Sequence, residues 1–98
     1  GLAGGVAKSD VWSNMFANIM GTKVDVIDIG ETGTFGCAIN CSVASGQYKT
    51  IEEASNNMVK ISRTIEPDFN KHELYNKKYN LYKKTLELLD SIWNEIAL

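Results

Sequence analysis

Apolar positions along the chain fall into helix-like and strand-like stretches separated by glycine or proline. Trp12, Met15, Phe16, Ile19 and Met20 recur at spacings of three and four. That spacing predicts an amphipathic helix from Val6 or Ala7 to Met20, with Gly21 placed to close it as a left-handed cap. Positions 23–29 then alternate polar and apolar, with β-branched valines and isoleucines, and predict a short half-buried strand that Gly30 breaks. Positions 31–45 predict a second helix. Its small residues Gly33, Cys37, Cys41 and Ala44 form one smooth stripe, against which another backbone is expected to pack. After Gly46, Thr50 and Glu53 make a capping-box pattern, so a third helix is predicted over 50–61 with Ala54, Met58 and Ile61 on its buried face.

Positions 63–66 predict an extended piece, because Pro67 disfavours helical geometry at Glu66. Asp68 or Asn70 is then the cap of a last helix over 71–97. Tyr75, Tyr79, Tyr82, Leu86, Leu89, Trp93 and Ile96 follow a four-three spacing without a miss, and Leu81, Leu88 and Ile92 widen that stripe. Lys77, Lys78, Lys83, Lys84 and Glu87 lie opposite. A single stripe rich in tyrosine suits docking on a domain better than a coiled-coil seam.

Composition narrows the class of molecule. At 98 residues the chain is one domain at most, and 44% hydrophobic with 22% charged residues is ordinary for a globular protein. A net charge of −2 with mixed signs offers neither a basic face for nucleic acid nor a polybasic run for a membrane. Two cysteines and no secretory segment fit a reducing cytosol, hence a cytoplasmic location. The chain opens Gly-Leu-Ala-Gly-Gly without an initiator Met, and only Leu2 and Ala3 precede its most site-like turn. A C-terminal piece of something longer is expected, with a processed native terminus as the competing reading.

Candidate chemistry concentrates at that turn. Gly4 and Gly5 lead into a helix, where unpaired N–H groups and the positive end of the helix dipole favour an anion or a polar ligand edge. Lys8, two residues on, is placed either to reach a phosphate or to sit exposed. His72 is the only histidine and is read as solvated, since it has no partners for zinc or for nucleophilic catalysis. Cys37 and Cys41 are read as buried small hydrophobes rather than half of a metal or redox site. Asp25, Asp28, Glu31, Glu52, Glu53, Glu66 and Asp68 are read as caps and solvated faces. No residues are therefore assigned to catalysis or to a metal.

The run Gly4-Gly5-Val6-Ala7-Lys8-Ser9-Asp10-Val11-Trp12, followed by positions 15–21, resembles the Gly-Gly-Gly-Ala-Lys-Ser…Trp…Ala-Asp…Gly segment of the FGGY carbohydrate kinases. Glu31-Thr32-Gly33-Thr34-Phe35-Gly36-Cys37-Ala38 is similar to that family's Glu…Leu-Gly-Ala-Ala helix. Gly46-Gln47-Tyr48, the Glu-Glu-Ala of the third helix, and Arg63-Thr64-Ile65-Glu66-Pro67 with its Tyr-rich helix continue the match in order. The tail most resembles xylulose kinase-type members. The resemblance covers essentially all 98 residues.

It implies an α/β, actin-like, ribonuclease-H-like ATPase fold, mostly helical with one or two short strands and a long C-terminal helix. Residues 1–98 would be the C-terminal portion of the second, nucleotide-binding lobe. The family moves the γ-phosphoryl of ATP, with Mg²⁺, to a sugar hydroxyl, here expected to be a pentulose or related ketose. By position, the nucleotide-binding residues would be Gly4, Gly5, Val6, Lys8 and Ser9. Gly4 and Gly5 would approach adenosine and the phosphates through the backbone, Ser9 would lie beside the adenine, and Lys8 nearby. Val6 stands where a third glycine is frequent, and Asn18 where an Asp is. The phosphate loop, the sugar-binding residues and the catalytic aspartate would lie upstream, so the piece alone is expected to be inactive. A homodimer of the full-length protein is compatible with this reading. A helical interaction module docking through the 71–97 helix is the alternative from another class, and a non-kinase actin-like ATPase is a third.

Overall fold

The computed structural model describes residues 1–96. A 3-10 turn Gly5–Lys8 is followed by α1 Asp10–Met20, β1 Val24–Val26, α2 Thr32–Ala44, α3 Ile51–Met58, β2 Arg63–Ile65, α4 Phe69–Asp90 and α5 Trp93–Ile96. β1 and β2 pair antiparallel, with Val24 opposite Ile65, Asp25 opposite Thr64 and Val26 opposite Arg63. Leu2 adds a third line, parallel to β1. Its N–H donates to the Asp25 carbonyl at 2.7 Å and its carbonyl accepts from the Ile27 N–H at 2.8 Å. The path from Leu2 through α1 to β1 is thus a parallel crossover, the setting in which ligands gather at the carboxyl ends of strands.

Alternation along β1 decides which face of the sheet is covered. Val24 and Val26 are buried beneath α1, and the core they share with Ala7 and Ala17 is flanked by Leu2 and Ile65. Alanines at 7 and 17 bring the turn and α1 close to the strands. Asp25 points to the other face, where it accepts a hydrogen bond from the Thr64 hydroxyl at 2.7 Å. α2 and α3 pack on each other, burying Ile39 and Ser42 of one and Ala54 of the other. α4 docks on α1.

Several expected boundaries move. The first helix does not start at Val6 or Ala7. Ser9 takes extended backbone (φ −99°, ψ 118°) and its hydroxyl accepts from the Trp12 N–H at 3.3 Å, so the α-helix starts at Asp10 and the residues before it form a separate 3-10 turn. Gly21 does close α1 in the left-handed region (φ 63°, ψ 30°). The strand is shorter than 23–29. α3 stops at Met58 because Val59 is already extended, and Ile61, expected in the core, is 57% exposed. Thr50 caps α3 as expected, its hydroxyl accepting from the Glu53 N–H at 3.1 Å.

Two expectations about packing fail. The small-residue stripe of α2 faces outward. Gly33 and Gly36 have no heavy atom within 4 Å of a built-in Cβ, and Cys37 and Cys41 are exposed thiols, not buried hydrophobes. Ile39 and Ser42, on another face, make the contact with α3. The last helix starts at Phe69, with the Asp68 carboxylate capping the Asn70 and Lys71 N–H groups. It breaks after Asp90, where the Ser91 hydroxyl donates back to the Leu88 carbonyl at 3.2 Å, a bond that competes with helical continuation. Its expected end at Ala97 lies outside the described residues. No residue of α4 is buried. The stripe docks only over its first turns, and beyond them Tyr79, Tyr82 and Leu88 are 57%, 58% and 77% exposed. The radius of gyration, 19.4 Å, exceeds the roughly 13 Å of a compact 100-residue domain because α4 projects from the body.

Candidate functional site

Gly4 has φ 88° and ψ −163°, a region that only glycine occupies without strain. Its carbonyl accepts from the Ala7 N–H at 3.1 Å and closes the turn. No atom lies within 4 Å of a Cβ built on Gly4 or on Gly5. Gly4 is therefore required by its backbone. Nothing among the described residues crowds Gly5, and its φ is not positive. Together the two leave a bare backbone face at the carboxyl end of the Leu2 line.

The rest of the turn is held from three sides. The Val6 carbonyl accepts from the Ser9 N–H at 3.1 Å and from the buried Ser13 hydroxyl at 3.5 Å. Arg63 reaches over from β2, its Nη2 donating to the Ala7 carbonyl at 3.0 Å and to Asp10 Oδ1 at 2.9 Å, while its Nε is buried without a partner. Lys8 is exposed and forms no ion pair among the described residues. Sequence reading missed Arg63 altogether, because nothing in the Arg63-Thr64-Ile65 run betrays a partner 56 residues away.

The electrostatics of the turn differ from the expectation. The positive end of α1 is already served by the Ser9 hydroxyl on the Trp12 N–H and by the Asp10 carboxylate in its first turn. A phosphate placed there would compete with the Asp10 carboxylate for Arg63 and for the helix end. The glycines do not open α1, so the helix N-terminus and the bare glycine face are separate features.

Further along α1, His72 proves to be a clasp rather than a solvated side chain. Its Nδ1 lies 2.9 Å from the Asn18 carbonyl and 3.1 Å from the Ile19 carbonyl, so it carries the hydrogen and donates, and Nε2 accepts from the Asn76 amide at 3.1 Å. The side chain of Asn18, 6% exposed, accepts from the Asp68 N–H at 2.8 Å. These bonds join the end of α1 to the start of α4. Between the two helices runs an open groove of about 550 Å³ with Val11, Met15, Leu74 and Tyr75 in its walls and Asp10, Lys71 and Lys78 among the polar residues lining it. The carboxylates of Glu53, Glu66 and Asp68 serve as a cap, an exposed ion-pair partner of Lys23 and a cap, as expected. Among the described residues no three His, Cys, Asp or Glu side chains converge.

No protein-family profile matches the chain. It is 38% identical over 88 residues to the L-xylulose/3-keto-L-gulonate kinase of Escherichia coli, an alignment covering 90% of this chain and 18% of the relative. It is 34% identical over 105 aligned positions to an Escherichia coli autoinducer-2 kinase, covering 98% of this chain and 20% of that protein. Over nearly its whole length the chain is similar to one stretch of FGGY carbohydrate kinases. It spans about a fifth of the length of these FGGY relatives. Two solved structures share its architecture. A ligand-bound xylulose kinase from Lactobacillus acidophilus superposes with a TM-score of 0.83 at 20% identity, over 97% of this chain and 19% of that one. A gluconate kinase from the same organism superposes with a TM-score of 0.82 at 20% identity, over 96% of this chain and 19% of that one. At that identity the likeness shows the fold, which is the α/β, largely helical architecture of a stretch of an actin-like sugar kinase. No helix among the described residues is long and apolar enough to cross a membrane.

Proposed function

We propose that this chain is the adenosine-facing portion of an ATP-dependent sugar kinase, the C-terminal part of the second lobe, in an enzyme that phosphorylates a pentulose or related ketose of the xylulose type. The observation that carries the reading is the Gly4–Gly5 face, bare backbone with open space above it, at the strand end where a crossover helix begins. It fits a flat nucleoside. Gly4, Gly5 and Val6 offer main-chain contact, the Ser9 hydroxyl retains its hydrogen for an adenine acceptor, and Lys8 lies within a few residues for the phosphates. Asp10 disfavours a phosphate at the start of α1, so the phosphates lead away from that helix.

ATP supplies the transferred phosphoryl group. The chain's own part is to bind and orient the nucleoside. In this reading Mg²⁺, the sugar and the catalytic base are held by other parts of the enzyme. A cytoplasmic location accompanies that activity. The names of the relatives support the xylulose-type assignment. The exposed Tyr79, Tyr82 and Leu88 of α4 favour a second reading, a module docking through that helix.

Nucleotide-dependent stability separates the two. The kinase reading expects the melting temperature to rise with ADP, since a ligand bound only by the native state stabilises it by mass action. A coupled assay of the chain alone should show no sugar-dependent ADP formation. A melting temperature indifferent to ADP at millimolar concentration would favour the docking module, and sugar-dependent turnover would overturn the assignment of catalysis to other residues.

A further inference from the structure

Glycines that expose backbone to a ligand also leave that backbone loosely defined, because they restrict φ and ψ least. Gly4 and Gly5 are adjacent, and neither carries a side chain to hold it. The definition has to come from elsewhere. On the α1 side Ser13 supplies one long bond at 3.5 Å to the Val6 carbonyl. From the sheet, the only side chain among the described residues that bonds to the turn's backbone is Arg63.

We propose that Arg63 is a positioning residue for nucleotide binding, holding the Gly4–Ser9 turn in its binding geometry without touching the ligand; this rests on the nucleotide reading above. Arg63 is placed by the register of the sheet, directly opposite Val26, which is fully buried and is itself bridged to Leu2. Its side chain therefore starts from a strand position paired with a fully buried residue. The fork at Nη2 joins two points, the carbonyl of Ala7 within the turn and the carboxylate of Asp10 at the start of α1. Fixing both sets the angle between turn and helix, and with it where the Gly4–Gly5 face lies relative to Ser9. Its Nε is buried without a partner among the described residues, so the bonds that hold the side chain to the turn are those of Nη2. Both bonds leave from one nitrogen, so lysine falls short by reach: its ammonium ends one bond nearer the backbone than Nη2 does and cannot meet both acceptors at full length.

The test uses the ¹⁵N-labelled chain with Arg63→Met, Arg63→Lys, and Lys23→Met as a control that removes the exposed Lys23–Glu66 pair from the opposite end of the same sheet. Two readouts are taken: amide hydrogen exchange at Ala7 and Ser9, and the ADP dissociation constant from shifts at Gly4 and Gly5. Val26 reports whether the core remains folded. Arg63→Met should speed exchange at Ala7 and Ser9 and weaken ADP by about tenfold, the scale of one charge-assisted hydrogen bond. Arg63→Lys should fall between, and Lys23→Met should match the unmodified chain. Unchanged exchange and unchanged ADP affinity in Arg63→Met would overturn the proposal and leave the nucleotide reading intact. An unmodified chain that ignores ADP would overturn the nucleotide reading, and Arg63's role with it. If Arg63→Met does not fold, Arg63→Lys decides by the same readouts, and equality with the unmodified chain would overturn the proposal.

Discussion

Replacing Gly21 by alanine puts a methyl group where the His72 ring now lies. A Cβ at this position would stand 2.6 Å from His72 Cε1, 2.7 Å from Nε2 and 2.9 Å from Nδ1. Those distances are closer than non-bonded atoms tolerate, so the ring has to move. Moving it breaks or stretches the Nδ1 bonds to the Asn18 and Ile19 carbonyls and the Asn76 bond to Nε2. Hydrogen bonds of this kind contribute about 1 kcal/mol each. The backbone adds a second cost, because Gly21 has φ 63° and alanine in that region is unfavourable by about 1–2 kcal/mol. Gly21→Ala should therefore destabilise the chain by about 2–4 kcal/mol, read as a lowered urea midpoint at unchanged m-value.

The two costs separate in a double-mutant cycle. In a His72→Ala background the ring is gone, and Gly21→Ala should cost only the backbone part of about 1–2 kcal/mol, a coupling of at least about 1 kcal/mol. Equal costs in both backgrounds would refute the clasp and leave Gly21 as an ordinary left-handed cap.

Gly5→Ala should leave stability unchanged or raise it by up to about 1 kcal/mol, since φ is not positive and the space is open, yet weaken ADP binding if the nucleoside lies on that face; thermal melting and a titration on the same sample check both halves. Asn18→Ala removes the acceptor of the Asp68 N–H inside a nearly closed site and should cost about 1–3 kcal/mol by urea unfolding. Thr50→Ala should lower stability by about 1 kcal/mol, with the loss of helicity by circular dichroism confined to a few residues of α3.

Local chemistry carried most of the fold that could be read from sequence. Gly21, Thr50 and Asp68 act through neighbours within four residues, so their roles were visible in spacing alone. Gly4 and Ser9 border one 3-10 turn, whereas the spacing had put Ser9 inside the first helix. What escaped was long-range or competitive. Ser9 was available both as a helix residue and as a cap, and only its extended backbone decides for the cap. Arg63 and His72 find their partners 56 and 54 residues away, and a periodicity analysis has no access to such pairs. Spacing grouped the small residues of α2 and the apolar residues of α4 into stripes, although Trp93 and Ile96 of the second fall in α5. Whether a stripe is covered depends on what packs there, and the exposed Cys37, Cys41, Tyr82 and Leu88 lie on faces that nothing among the described residues covers.

The most direct test of the central claim is an amide titration of the ¹⁵N-labelled chain with ADP, adenosine and pyrophosphate in parallel. The nucleoside reading predicts shifts from ADP and from adenosine, centred on Gly4, Gly5, Val6 and Ser9, and little response of these residues to pyrophosphate, because Asp10 already occupies the positive end of α1. Shifts at the same residues from pyrophosphate alone would mean that the turn is an anion site. A folded spectrum that ADP leaves unchanged at Gly4 and Gly5, or perturbs only along α4, would contradict the account.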